Sequence, residues 1–154
     1  MRFLPIIGSF LARLEMNWIT LDTQKVLDDF PTNLTQPYLT WLTNNPTKAG
    51  RLTEITANTV AEFRSAIATD PANILDPDRA KVPENCIRSA EVIIIDTLRA
   101  EMGQTLSPAD EQAMTRAEIF LRQIGYGHLS IQDESHEPTP SYTTDIQHTE
   151  RALP

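Results

Sequence analysis

The sequence predicts an all-α fold, a bundle of about four to five helices followed by an extended C-terminal tail. Apolar residues recur at intervals of three and four in several segments, and prolines or capping residues bound those segments. The 154 residues are 40 % hydrophobic and 22 % charged, which is ordinary for one globular domain with a single core. From about Gln132 onward, apolar residues are too few to form a core of their own.

Two short helices are predicted first. We expect the first helix to follow Thr20 as its N-cap and to end before Pro31, because proline cannot continue a helix. The second helix ends at an Asn-Asn-Pro sequence and carries three apolar residues on one face. These are Tyr38, Trp41 and Leu42.

A long helix is predicted from Thr47 to about Ala68, since apolar residues recur along it with no intervening proline. Residues 68–83 then contain three prolines and three aspartates, which is typical of a connecting loop. Asp76 and Asp78 invite comparison with a calcium-binding loop, but the glycine and the final glutamate of an EF-hand are absent. We therefore expect no metal site there.

The next predicted helix is strongly apolar and has Pro83 at its first position. Its core stripe includes Ile87, Ile94 and Leu98. The run 92–95 widens this stripe around much of the helix, so the helix is either central in its own domain or buried against a neighbouring subunit.

The last helix begins with a clear signal, because Ser107 is a good N-cap, Pro108 suits the first position and Asp110 completes a capping box. Gly125 is the expected C-terminal stop, and residues 128–131 could form a short strand. The inward face should consist of Ala113, Met114, Ala117, Phe120, Leu121 and Ile124.

Three regions follow from this organisation: an N-terminal extension over 1–16, a helical domain over 17–131 and a C-terminal arm over 132–154. The apolar run in the extension is short and interrupted, so it cannot span a bilayer as a helix, and we predict no membrane association. The extension is open to three interpretations: sequence ahead of a true start at Met16, a docking segment, or a weak signal peptide.

No catalytic constellation is visible, and we predict neither enzymatic activity, nor a cofactor, nor a metal. Cys86 lies in the apolar register of a predicted helix, where a small buried thiol is commoner than a nucleophile. The spacing of the three histidines fits no ligand set, and the glycines form no phosphate-binding loop. A net charge of −8 opposes attraction of nucleic acid to the bulk surface, and no sequence-specific recognition is expected.

The order of four segments resembles the small helical head-tail adaptor (connector) proteins of tailed bacteriophages and prophages, including the Mu-type structural proteins. The segments are "ITLDTQKVLDDFP", "RLTEITANTVAEFRSAI", "VPENCIRSAEVIIIDTLRAEMG" and "SPADEQAMTRAEIFLRQIGYGHLSI". The last contains the pattern "A..FLR.I..G" that closes the final helix. The resemblance covers residues 17–131.

The resemblance implies a structural virion protein at the neck, made in the host cytoplasm and without catalytic activity. It implies a homo-oligomeric ring of about a dozen copies that sits under the portal protein, continues the DNA channel and contacts the next tail or neck component. In such adaptors the C-terminal segment often docks on the portal or on a neighbouring subunit. The possible anchors of such an arm are Tyr126, Ile131, Tyr142 and Ile146, unless the segment is simply a frayed chain end.

A different class of function fits the same helices. A non-viral helical protein-protein interaction module could bury the apolar surface at 92–95 against one partner. Assembly into a ring and affinity for a portal would distinguish an adaptor from such a module.

Overall fold

The computed structural model describes residues 16–129 and 131 and confirms a mostly helical fold, to which it adds one small sheet. Five α-helices lie in the described residues, with a 3-10 turn at Pro46–Lys48. The elements in chain order are β1 (Trp18–Thr20), α1 (Thr23–Asp28), α2 (Thr32–Asn44), α3 (Arg51–Ile67), β2 (Lys81–Pro83), α4 (Glu84–Glu101) and α5 (Pro108–Gly125).

The two strands form an antiparallel pair that the sequence analysis did not predict. Ile19 pairs with Val82, whose side chain is fully buried. Strands of three residues are too short to show an alternating pattern. The prediction that Thr20 caps the first helix is wrong, because Thr20 lies in β1 and the N-cap is Asp22, whose carboxylate accepts a hydrogen bond from the Lys25 backbone N–H at 2.9 Å.

Helix α3 begins at Arg51, later than the predicted start at Thr47. The 3-10 turn, none of whose residues is buried, and Gly50 precede it, and the first buried residue of the helix is Leu52. The Arg51 guanidinium donates to Glu101 at the end of α4, with Nε to Oε1 at 2.7 Å. This contact joins the start of α3 to the end of α4.

The connection after α3 is an irregular loop, as predicted, and Arg64 on α3 holds it in place. The Arg64 guanidinium donates to the backbone carbonyls of Asp76, Asp78 and Lys81 at 2.5, 3.0 and 2.7 Å. It also lies 5.3 Å from the centre of the Trp18 ring, a cation-π distance. Arg64 therefore contacts the loop and both strands.

Helix α4 is central, packed against α3, α5 and both strands. Ile94 and Leu98 are fully buried within the domain, and Ile87 is partly buried against the same core. The central position is therefore the correct one of the two alternatives for this helix. Pro83 ends β2 and is the N-cap of α4, so the helix begins one residue later than predicted.

Helix α5 begins as predicted, with a complete capping box between Ser107 and Asp110. The Asp110 backbone N–H donates to Ser107 Oγ at 3.2 Å, and the Ser107 N–H donates to the Asp110 carboxylate at 3.3 Å. The helix ends at Gly125, as predicted, but the residue with a positive φ is Gly127, at 69°. The described residues of 128–131 form no strand.

Candidate interaction surface

The four predicted anchor residues have different positions. Tyr126 follows α5 with 72 % of its surface exposed, and its ring lies 5.9 Å from that of His128. Ile131 is 2 % exposed and belongs to the hydrophobic core, so its prediction as a docking anchor is wrong. It packs onto its own domain after the turn, where burial of an apolar side chain is favourable. Tyr142 and Ile146 lie outside the described residues.

An open groove of about 350 Å³ lies between the first half of α4 and the middle of α5. Its floor is apolar, because Ala117 is buried and the half-buried Phe120 lies 6.5 Å from the Phe63 ring in the core. Two arginines contribute to the lining of this groove. The lining residues are Arg88, Ser89, Val92, Ala113, Arg116, Ala117 and Phe120.

The side chains of Arg88 and Arg116 form no hydrogen bond or ion pair with any residue that the structure describes. Other arginines of the fold are engaged: Arg51 binds Glu101 and Arg64 binds loop carbonyls. With respect to the described residues, the two guanidinium groups of the groove are therefore available to a ligand. Guanidinium groups favour carboxylates and phosphates, which they can bind through two parallel hydrogen bonds.

The sequence does not predict this groove. Helical spacing predicts Ala113 and Phe120 on an inward face, whereas the structure shows both only half-buried because no described element covers them. Helical spacing already places Arg88 with Val92, and Arg116 with Phe120, on common faces. The missing information is that these two faces lie beside each other, which depends on the pairing of α4 with α5.

Two ion pairs of the buried Arg99 fix that pairing at the other end of the two helices. Arg99 Nη1 lies 3.3 Å from Asp96 Oδ1 and 3.1 Å from Asp110 Oδ2, so α4 is tied to the capping box of α5. Burial raises the pKa of Asp96, and Arg99 opposes that rise. The Ser107 hydroxyl, followed by Arg99, lowers the pKa of Asp110. These ion pairs therefore hold the walls of the groove in register.

A second carboxylate on α4 is poorly compensated. Glu91 has a side chain 15 % exposed, and its Oε1 lies 3.7 Å from Lys25 Nζ with no hydrogen-bond partner among the described residues. Burial raises the pKa of Glu91 to about 7, and the neighbouring Asp29 carboxylate adds to this rise. Lys25 lowers it by a smaller amount.

Glu91 should make stability decrease as pH rises from about 4.5 to 7. In the unfolded chain the Glu91 carboxyl has its ordinary pKa of 4.5, so the folded state binds this proton more tightly than the unfolded chain does. The stability gained from the bound proton is therefore complete below pH 4.5 and is lost as the pH rises through 7. We expect Glu91→Gln to remove a decrease of about 2 kcal/mol between pH 5 and pH 8, measured by urea unfolding. Glu118→Gln on an exposed surface should leave the decrease intact. An equal slope in wild type and Glu91→Gln would contradict this assignment.

The described residues offer no reactive thiol. Cys86 is fully buried, as expected, and burial raises the pKa of its thiol to about 12. Because the thiolate is the nucleophile, Cys86 is inert near neutral pH.

Two aspartates of the loop after α3 accept hydrogen bonds from the loop backbone. Asp76 and Asp78 each accept a hydrogen bond from a backbone N–H two residues on, at 2.8 and 3.0 Å. Within residues 16–129 and 131, no group of three or more His, Cys, Asp or Glu side chains could hold a metal ion. No helix in this part of the chain is long and apolar enough to cross a membrane.

The chain matches no protein-family model, no curated protein and no solved structure. The features that bear on function are therefore the groove, the exposed Tyr126 and the order of the helical segments.

Proposed function

We propose that this protein is a structural component of a tailed-bacteriophage virion, a head-tail adaptor that forms a ring under the portal protein. The ring continues the DNA channel and offers a surface to the next tail or neck component. The observation that carries the proposal is the order of the four helical segments over residues 17–131, ending in the "A..FLR.I..G" pattern of the last helix. The protein acts as a scaffold without catalytic activity.

Two features of the domain support a role in assembly. Its helices α3, α4 and α5 pack around a well-filled core, which suits a rigid building block. The overall net charge of −8 suits the wall of a DNA channel, because a surface that neutralises few phosphates lets DNA slide.

A second function is favoured by one observation. The groove between α4 and α5 pairs an apolar floor with Arg88 and Arg116, and such a surface can bind an acidic peptide without any ring. A host interaction module would work in this way as a monomer.

Native mass spectrometry and electron microscopy test the proposal on the purified full chain, alone and mixed with purified portal proteins of tailed bacteriophages. An adaptor should form a ring or bind the portal as a ring. A stable monomer without affinity for any portal would refute the adaptor function and leave the interaction module.

Removal of the residues after Gln132 should leave the helical domain intact and weaken ring or portal attachment. Ile131 stays in this truncated chain, so the core keeps every buried side chain that the structure describes. Circular dichroism should show unchanged helicity and melting, whereas native mass spectrometry should show fewer assembled copies.

A matched truncation after Ser130 also removes Ile131 from the core and leaves Leu129 in place. The loss of this buried side chain should lower the free energy of unfolding by about 2 kcal/mol. If the chain ending at Gln132 assembles as well as the full chain, the arm has no role in attachment.

A further inference from the structure

We propose that the acidic arm of one copy, residues 132–154, lies in the groove between α4 and α5 of the neighbouring copy. The groove is the surface lined by Arg88, Val92, Arg116 and Phe120. This inference rests on the proposed ring and names the contact that would join its copies.

The groove selects for a ligand with two properties. Its floor of Val92, Ala117 and Phe120 favours an apolar side chain, because covering it removes apolar surface from water. The guanidinium groups of Arg88 and Arg116 favour carboxylates, with no described partner to displace. An acidic segment with a few apolar residues meets both requirements.

The C-terminal arm has this composition. Its 23 residues contain five carboxylate side chains and one arginine, a net charge of −4. Tyr142 and Ile146 lie within this acidic sequence and provide one aromatic and one aliphatic side chain for the apolar floor of the groove. The carboxylates are Asp133, Glu134, Glu137, Asp145 and Glu150.

The other chain end is a poorer ligand for this groove. Residues 1–15 are mostly apolar, and their charged side chains are the two cations Arg2 and Arg13 and the single anion Glu15. Their side chains carry a net charge of +1, which Arg88 and Arg116 would repel. Charge complementarity therefore favours the C-terminal arm.

The arm is long enough to reach another copy. Fully extended, 23 residues span up to about 75 Å. The groove residues of α5, from Ala113 to Phe120, extend over only about 10 Å of helix. After filling the groove, the arm retains ample length to bridge two domains.

A ring favours contact of the arm with another copy over contact within its own copy. A cyclic ring with more than two subunits needs two different surfaces on each copy, which complement each other head to tail. The acidic arm and the arginine-bearing groove form such a pair on one chain. Each copy would donate its arm to one neighbour and receive an arm from the other.

Disulfide trapping between two full-length variants tests this arrangement. One carries Ala113→Cys in the groove and the other carries Tyr142→Cys or Ile146→Cys in the arm, while the native Cys86 is fully buried. After mixing and mild oxidation, we expect a covalent heterodimer with a disulfide between the introduced cysteines, identified by peptide mass spectrometry.

Charge reversal provides the matched control. Arg88→Glu with Arg116→Glu in the groove copy should reduce the heterodimer about tenfold, and circular dichroism should remain unchanged because neither side chain is buried in the core. Arg122→Glu, on α5 outside the groove lining, should leave the yield unchanged.

Absence of the heterodimer would overturn the inference, and so would a heterodimer whose yield does not change on charge reversal at Arg88 and Arg116. A third variant carries both introduced cysteines in one chain, and a disulfide that forms only within that chain would overturn the inference as well. A cysteine introduced at Ile6 that captured residue 113 in place of the arm would also overturn it. If rings form but the disulfide between arm and groove does not, the placement of the arm is refuted and the proposed ring function is not. A monomer that neither links nor binds a portal refutes the proposed function as well.

Discussion

Ile94→Asp should prevent the protein from folding. Ile94 is fully buried on α4, which packs against α3, α5 and both strands. A carboxylate at that position has no partner, so it costs several kcal/mol or must raise its own pKa to become neutral. Since a domain of this size is stable by only about 5–15 kcal/mol, the loss is a large fraction of the total. Soluble yield, circular dichroism and thermal melting measure it.

The matched control for this change is Ile119→Asp. Ile119 lies on α5 with 44 % of its surface exposed, so the carboxylate stays in water. We expect a change in the free energy of unfolding within about 0.5 kcal/mol. Normal solubility and melting of the Ile94→Asp protein would contradict the central position of α4.

Arg99→Met should destabilise the fold by about 3–5 kcal/mol, the usual cost of removing one partner of a buried ion pair. Methionine retains much of the apolar stem of arginine, so the change isolates the charge. Asp96, 5 % exposed, would then be a buried carboxylate without its cation, and Asp110 in the capping box would lose its link to α4. Urea unfolding near neutral pH measures the loss.

Two further variants make this prediction specific. Arg122→Met removes an exposed arginine whose ion pair with Glu118 has a separation of 3.7 Å, and it should cost no more than about 0.5 kcal/mol. Asp96→Asn combined with Arg99→Met should recover part of the stability, because the unpaired buried charge is gone. If Arg99→Met costs no more than Arg122→Met, the ion pairs of Arg99 do not hold α4 and α5 together.

Local chemistry explains which parts of the fold could be predicted from the sequence. The start of α5 depends on Ser107, Pro108 and Asp110, which act within one helical turn, and it was placed correctly. The pairing of β1 with β2 depends on residues more than 60 positions apart, and three-residue strands carry no periodic signal. The end of α5 at Gly125 was also predicted, whereas the positive φ of the turn lies two residues later, at Gly127.

For the candidate surface too, features set by neighbouring residues could be predicted from the sequence, whereas features set by distant elements could not. Nothing near Ile131 in the sequence indicates that its side chain is buried in the hydrophobic core. Spacing along α4 and α5 identifies the residues on each face, including Arg88 and Arg116, but not that the two faces share a groove. The aromatic and aliphatic residues of the arm, Tyr142 and Ile146, remain predictions because they lie outside the described residues.

The antiparallel course of α4 and α5 gives the domain two unlike poles. Asn17 and Glu84 exchange hydrogen bonds of 2.8 and 2.9 Å, which places the incoming chain at the start of α4. Arg99 and Asp110 join the end of α4 to the start of α5, so α5 returns toward the pole where the chain entered. The start of α4 and the end of α5 therefore lie at the same pole of the domain, opposite the pole at which Arg99 joins Asp110.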